Sequence, residues 1–365
     1  MPTTGDRLAG SYRRLLLCYP REYRRSRGEE LVGVLLDVAA PGRARPTARE
    51  SANLIRHGLR CRLGRPASRT VVAWSILVAV IVGLFAAAAG TRLAWETARP
   101  LPDRTEAAGI LAPILPEHRF GEIFTSRALF VVYEQPFGLN VLDDVLLGDG
   151  GEYQMGTAWT SATGTPPADE AHLLATVEQR MLATGWRVYP AQSQHAYDCV
   201  GPPCDPDEIP SLTTLVASRG DTIIELETNF TGDSDSYLYV QLHRATPAAV
   251  SPAGIVAGLA GGLLAWLVFG WASRRTAGPS RRRPMATLLF STTMLLWWPP
   301  ALVGIGALVA HQLGEPHPQL PPLWEWLGQP TFSLLFLLGC GSALHGLTLA
   351  ALPQRHVHQA PAAAS

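Results

Sequence analysis

Lysine is missing from this sequence: all thirty basic residues are arginine. With abundant alanine, glycine and proline, that usage is simplest as a compositional bias of the coding sequence, and the choice of arginine carries no functional weight. Charge of either sign is scarce. Asp, Glu, Lys and Arg make up 16% of the chain, where a soluble domain carries about a quarter; long apolar runs produce such a deficit. The signatures of common chemistry are also absent. There is no GxSxG nucleophile turn, no HExxH zinc helix, no phosphate-cradling Walker loop and no GxGxxG dinucleotide turn, which removes the reactions those arrangements serve. No secretory signal is visible either. The first thirty residues are polar and basic, and Leu15-Leu16-Leu17 is too short for the apolar core of such a peptide.

Long hydrophobic runs are abundant. Residues 71–90 read VVAWSILVAVIVGLFAAAAG, twenty residues without a charge. At about 1.5 Å per residue, such a helix covers the roughly 30 Å hydrocarbon core of a bilayer. Three further runs, 250–272, 285–311 and 331–352, also lack acidic residues. The expected object is a membrane protein with four transmembrane α-helices, an N-terminal helical unit and an α+β domain between the first two spans.

The net charge of zero hides a segregation. Residues 1–70 hold fifteen Arg against six acids, and residues 91–250 hold nine Arg against twenty-two acids. Basic residues near span ends favour the cytoplasmic side. Arg60, Arg62, Arg65 and Arg69 precede the first run, Arg274, Arg275, Arg281, Arg282 and Arg283 fill residues 273–284, and Arg355 lies in the tail, 353–365. With four spans all fall on one side. Both termini are therefore expected in the cytoplasm, with residues 91–249 and the loop 312–330 outside; Trp324 and Trp326 in that loop suit a membrane–water interface.

Residues 1–70 read as three short helices. Asp6 is a candidate N-cap. Leu31, Val34, Leu35 and Val38 fall on one helical face. Thr47 and Glu50 have the spacing of a capping box ahead of a helix carrying Ala52, Ile55 and Leu59. The stretches Tyr12-Arg13-Arg14-Leu15-Leu16, Tyr19-Pro20-Arg21-Glu22-Tyr23-Arg24 and Gly28-Glu29-Glu30-Leu31 with Leu35-Leu36-Asp37 resemble the N-terminal segment of actinobacterial multi-pass membrane proteins, and more distantly the helical prefix of permease-prefix and HAAS-type proteins. The resemblance covers about the first sixty-five residues. It implies a cytoplasmic prefix in a bacterial plasma membrane protein and carries no catalytic or binding residue with it.

In residues 91–249, Thr91–Leu115 is rich in proline and charge and reads as a stalk, and Ala158–Pro167 as a loop. Leu173, Val177 and Met181 repeat every four residues in a helix that Gly185 should stop. Residues 212–218, 222–228 and 237–243 read as strands, the first pair joined by a tight hairpin at Arg219-Gly220-Asp221. One helix on an antiparallel sheet is the expected fold.

Candidate sites are few. Cys199 and Cys204 are the only cysteines of the outer segment, where a disulfide can persist; without a second ligand pair they lack zinc spacing. Asp233 and Asp235 lack the further carboxylates of a calcium loop. No metal, cofactor or catalytic residue is expected, although His172 and His195 are the clearest acid–base candidates outside the spans. Gly254, Gly258 and Gly262 form two overlapping GxxxG patterns that let a neighbouring helix approach. Pro299 and Pro300 remove backbone donors inside the third span, and His345 is an ionisable group inside the fourth. The basic segments suit the anionic inner leaflet, and the helical prefix suits a cytoplasmic protein partner; nothing has the pattern of a nucleic-acid binder. The expected role is sensing or scaffolding across the membrane without catalysis. The alternatives are an accessory subunit of a transporter or permease that uses the third span, and then an extracytoplasmic hydrolase.

Overall fold

The computed structural model describes residues 3–64, 68–132, 139, 142–148, 151–163, 169–195, 211–229, 236–277, 282–314, 323–324, 331 and 333–352. Among the described residues it has four helices long and apolar enough to cross a membrane. They are α4 (Arg69–Trp95), α8 (Val250–Arg275), α9 (Arg282–Gly314) and α10 (Leu334–Ala351). The chain divides into two compact units: residues 1–85, 258–298 and 337–365, and residues 86–257 and 299–336.

The first unit opens with α1 (Thr4–Leu15), α2 (Arg21–Asp37) and α3 (Ala48–Arg62). Both α1 and α3 start with a reciprocal capping box. Thr47 and Glu50 form the second as their spacing predicts; in the first, Thr3 is the cap, three places before the expected Asp6, which is instead the third helical residue. The bundle core joins Leu8, Tyr12, Leu16, Tyr19, Val32 and Leu54. The apolar faces differ from those read off the periodicity. On α2, Leu31 and Leu35 touch the core, but Val34 and Val38 are 54% and 82% exposed. On α3, Leu54 and Gly58 are buried while Ile55 and Leu59 are partly exposed. The cause is Gly58: a Cβ there would lie 2.8 Å from the Tyr19 ring. The aromatic ring occupies the space that a side chain would fill, so it sets the rotation of α3.

The second unit is built on an antiparallel sheet. Its strands are β1 (Phe124–Ser126), β4 (Thr157–Thr163), β5 (Arg187–Val188), β6 (Gln192–His195), β7 (Ser211–Arg219), β8 (Thr222–Asn229) and β9 (Ser236–Arg244), while β2 (Leu129–Val132) and β3 (Gly151–Gln154) form a separate pair. The order is β1-β4-β9-β8-β7-β5, with β6 also on β7. The hairpin reads as expected: Arg219 pairs with Thr222, and Gly220 takes φ +62° at the first loop position, where a side chain would be strained. β4 replaces the expected loop at 158–167. Alternating threonine, alanine and tryptophan suit a half-buried strand, and Ala158, Thr160 and Ala162 point to the same buried face as Leu242, Val240 and Leu238 of β9.

Two helices cover that face, where one was expected. α7 (Glu170–Ala183) contributes Leu173, Val177 and Met181. The other is α5 (Arg104–Leu111), inside the segment read as a stalk. With the turn after it, α5 buries Ala107, Ile110, Leu111, Ile114 and Leu115. Those positions are spaced as one helical face, and each fully buried Leu or Ile contributes about 1.5–3 kcal/mol; the prolines flanking them disguised the pattern. A short α6 (Leu142–Leu147) completes the described helices of this unit.

Arg244, at the end of β9, ties the sheet to α5. Its side chain is 3% exposed. Nε donates to the Pro100 carbonyl at 2.8 Å, Nη1 to Thr222 Oγ1 at 2.6 Å, and Nη2 to both Glu106 oxygens at 3.1 and 3.2 Å. Removing one member of such a buried network leaves polar atoms without partners. Arg244→Leu should therefore lower the stability of the full chain in detergent by about 2–4 kcal/mol, read from denaturant unfolding of the sheet; a change below about 0.5 kcal/mol, typical of surface sites, would show the network to be decorative.

Candidate functional site

Close helix contacts run between α4 and α8. In the first unit a Cβ on Gly83 would lie 3.2 Å from the Gly258 carbonyl oxygen, and one on Gly262 would lie 3.0 Å from that of Ala79. In the second unit a Cβ on Gly90 would sit 2.5 Å from the Ala257 Cβ and 3.0 Å from the Ala253 oxygen, and one on Gly254 would sit 2.6 Å from Thr91 Cγ2. The backbones meet because the side chains are missing. Gly254, Gly258 and Gly262 therefore all sit in a close helix seam. Their partners, Ala79, Gly83, Ala87 and Gly90, were overlooked in the sequence because alanines crowd that run; the four-residue spacing of Ala79, Gly83 and Ala87 was the available signal.

A second seam joins α9 and α10 in the first unit. Cβ atoms on Gly339 and Gly346 would meet the Trp297 and Phe290 rings at 2.5 and 3.0 Å, and Ser342 Oγ donates to the Leu289 carbonyl at 2.8 Å. α9 runs as one helix through Pro299 and Pro300. His345 is exposed on α10, its Nδ1 2.7 Å from the Gly341 carbonyl of the same helix. A cavity of about 160 Å³ lies among α4, α8 and α9, with Thr70, Ser273, Thr276, Thr287 and Ser291 around it; the Ser273 hydroxyl is buried and makes no hydrogen bond to a described residue.

The sheet face opposite the two helices carries an aromatic ladder. Trp159 stacks on Phe124 at 4.6 Å and lies 5.4 Å from Tyr239. Glu227 pairs in register with Tyr239; burial pushes its carboxyl up, and burial, then Glu227, pushes the Tyr239 phenol up. At the other end of α7, Arg180 donates to Glu117 Oε2 at 2.7 Å and Oε1 at 2.6 Å. Those charge-assisted bonds hold the Glu117 carboxyl at about 2.

Among the described residues no group of three His, Cys, Asp or Glu is arranged to hold a metal. His172 is exposed in the first turn of α7, and His195 ends β6 opposite Ser211. Among the described residues Cys18, Cys61 and Cys340 are free thiols; the expected Cys199–Cys204 disulfide lies outside the described residues. Asp233 and Asp235 lie outside them too. Trp324 is fully buried, its ring edge-on to Trp95 at 4.5 Å. No family model matches the chain, and no curated protein or solved structure matches it.

Two outcomes follow from this geometry. Gly90→Ala should destabilise the protein in detergent by about 1–3 kcal/mol through overpacking, whereas Gly306→Ala and Gly341→Ala, with nothing within 4 Å of the added carbon, should be neutral or gain up to about 1 kcal/mol of helix propensity. Equal melting shifts in all three would count against a tight seam. Because the Glu117 carboxyl is lowered from its ordinary 4.5 to about 2, its stabilisation is complete above pH 4.5 and is lost as pH falls through about 2. The denaturation midpoint of the wild type should therefore drop more steeply over that window than that of Glu117→Gln; parallel curves would remove the bridge from the account.

Proposed function

We propose that this chain is a multi-pass protein of a bacterial plasma membrane, without catalytic activity of its own, that senses or scaffolds between its sheet domain outside and a protein partner inside. In this reading both termini and the three-helix prefix are cytoplasmic, and residues 91–249 are extracytoplasmic. The segregation of arginines from acids supports that orientation, and the N-terminal likeness to permease-prefix and HAAS-type segments supports a partner at the prefix.

The observation that carries the reading is the clamp in the second unit. Arg244, on the strand that leaves the sheet toward α8, grips Pro100 and Glu106 on the segment that arrives from α4, and Gly90 and Gly254 bring the same two helices into contact. A load on the sheet therefore bears on α4 and α8 together. α4 runs from Arg69 to Trp95 as one helix. On the prefix, Val34 and Val38 offer exposed apolar side chains on one face of α2.

Photocrosslinking in intact cells tests this. A photoreactive residue at Val38 in the full chain should give a discrete protein adduct, one at Arg27 should not, and Arg244→Leu should change the yield at Val38. No adduct at Val34 or Val38 would overturn the scaffold reading. The hydroxyl-lined cavity among α4, α8 and α9 favours the second reading, a transporter accessory subunit, in which flux would depend on Pro299 and Pro300 while Val38 stays silent.

A further inference from the structure

A cleft of about 530 Å³ opens where α3, the start of α4 and α8 meet in the first unit. Arg56, Arg60 and Arg69 lie on it together with Leu63, Ile76 and Trp266, and among the described residues no carboxylate lines it. Its geometry is fixed by the end of α3. Gly64 turns the chain with φ +75°, and Arg274 of α8 donates to the Arg62 carbonyl. Gly270 of α8 also passes close, since a Cβ there would lie 3.3 Å from that same carbonyl oxygen.

The arginines are arranged for an anion that the described residues do not supply. Arg56 and Arg60 are one helical turn apart on α3, so they repel each other. None of the three makes an ion pair among the described residues, unlike Arg13, Arg43 and Arg180. The Arg60 Nε is buried and has no hydrogen-bond partner among the described residues. An unpaired buried donor is costly, and a phosphate oxygen would satisfy it while drawing the like charges together. Apart from Ser75, whose hydroxyl donates to the Val72 carbonyl, the remaining wall is aliphatic and aromatic, which suits an acyl chain and not a free ion.

We propose that this cleft is a binding site for one anionic phospholipid. The phosphodiester sits among Arg56, Arg60 and Arg69, and the acyl chains run along Leu63, Ile76 and Trp266. The proposal rests on the membrane reading and on the cytoplasmic prefix above, and it sharpens a general attraction to the inner leaflet into a site with named residues. The lipid would then fasten the prefix to α4 and α8 at the level of the headgroups.

The test uses the full chain reconstituted in phosphatidylcholine bilayers with or without phosphatidylglycerol, followed by extraction and native mass spectrometry. One phosphatidylglycerol per chain should remain bound, and phosphatidylcholine should not. Arg56→Gln/Arg60→Gln should lower that occupancy at least about tenfold, the effect of losing two charge-assisted contacts to a phosphate. Arg25→Gln/Arg27→Gln, the same charge change at exposed positions of α2, should leave it unchanged. Inorganic phosphate should not displace the lipid, and phosphatidylglycerol brominated in its acyl chains should quench a tryptophan component that Trp266→Phe removes. Equal loss in both double variants, equal retention of phosphatidylcholine, or quenching unaffected by Trp266→Phe would each overturn the site. Melting of each variant separates lost binding from lost folding: a double variant that melts early is replaced by Arg60→Gln alone, which must still lose lipid. Release of the chain from membranes by alkaline carbonate would instead sink the membrane reading itself, an outcome separate from a stably integrated protein that binds no lipid.

Discussion

The close approach of α4 and α8 is the constraint on which the rest depends. A helix pair this apolar has no hydrophobic reason to associate when its surroundings are apolar too; what remains is dispersion and dipolar contact between surfaces that fit. Glycine and alanine supply the fit by removing side chains where the axes converge. Ala79 opposite Gly262 and Gly83 opposite Gly258 do so in one unit, and Gly90 opposite Ala253 and Ala257 in the other. The same logic repeats between α9 and α10, with rings in place of backbone: Gly339 and Gly346 receive Trp297 and Phe290.

The sheet domain solves a different problem. Its chain enters from α4 and leaves into α8, so both ends of the fold are tethered. Arg244 joins those ends through Pro100 and Glu106, while α5 and α7 bury one face of the sheet. The opposite face keeps Phe124, Trp159 and Tyr239 in a ladder beside Glu227. In the N-terminal unit the charges are similarly selective. Arg13, Arg43 and their carboxylates brace the bundle, and Arg56, Arg60 and Arg69, without an ion pair among the described residues, gather at the cleft.

Legibility followed the length scale of the signal. Runs of about twenty apolar residues needed no context, because length and composition alone set them apart. The Thr47–Glu50 capping box and the Gly220 hairpin were readable because each is satisfied within a few residues. The faces of α2 and α3 were not. Val34 and Val38 fit a helical stripe as well as Leu31 and Leu35 do, and on α3 the ring of Tyr19 against Gly58 sets the rotation that leaves Ile55 and Leu59 partly exposed. α5 was hidden by the prolines around it, and β4 by small residues that become core only when Leu238, Val240 and Leu242 lie beside them.

The sequence by itself determined four helices of spanning length, a basic helical N-terminus, an acidic segment rich in strands, and the glycine row 254–258–262. These depend on composition and on spacing along one chain. Tertiary structure alone decided which small residues of α4 meet that row, that the supposed stalk is core, and that Arg244 closes the domain across more than a hundred residues of intervening chain. It also decided that three arginines converge on an apolar cleft. Each of those is a pairing between distant positions, and its energy exists only once the fold has brought them within contact distance.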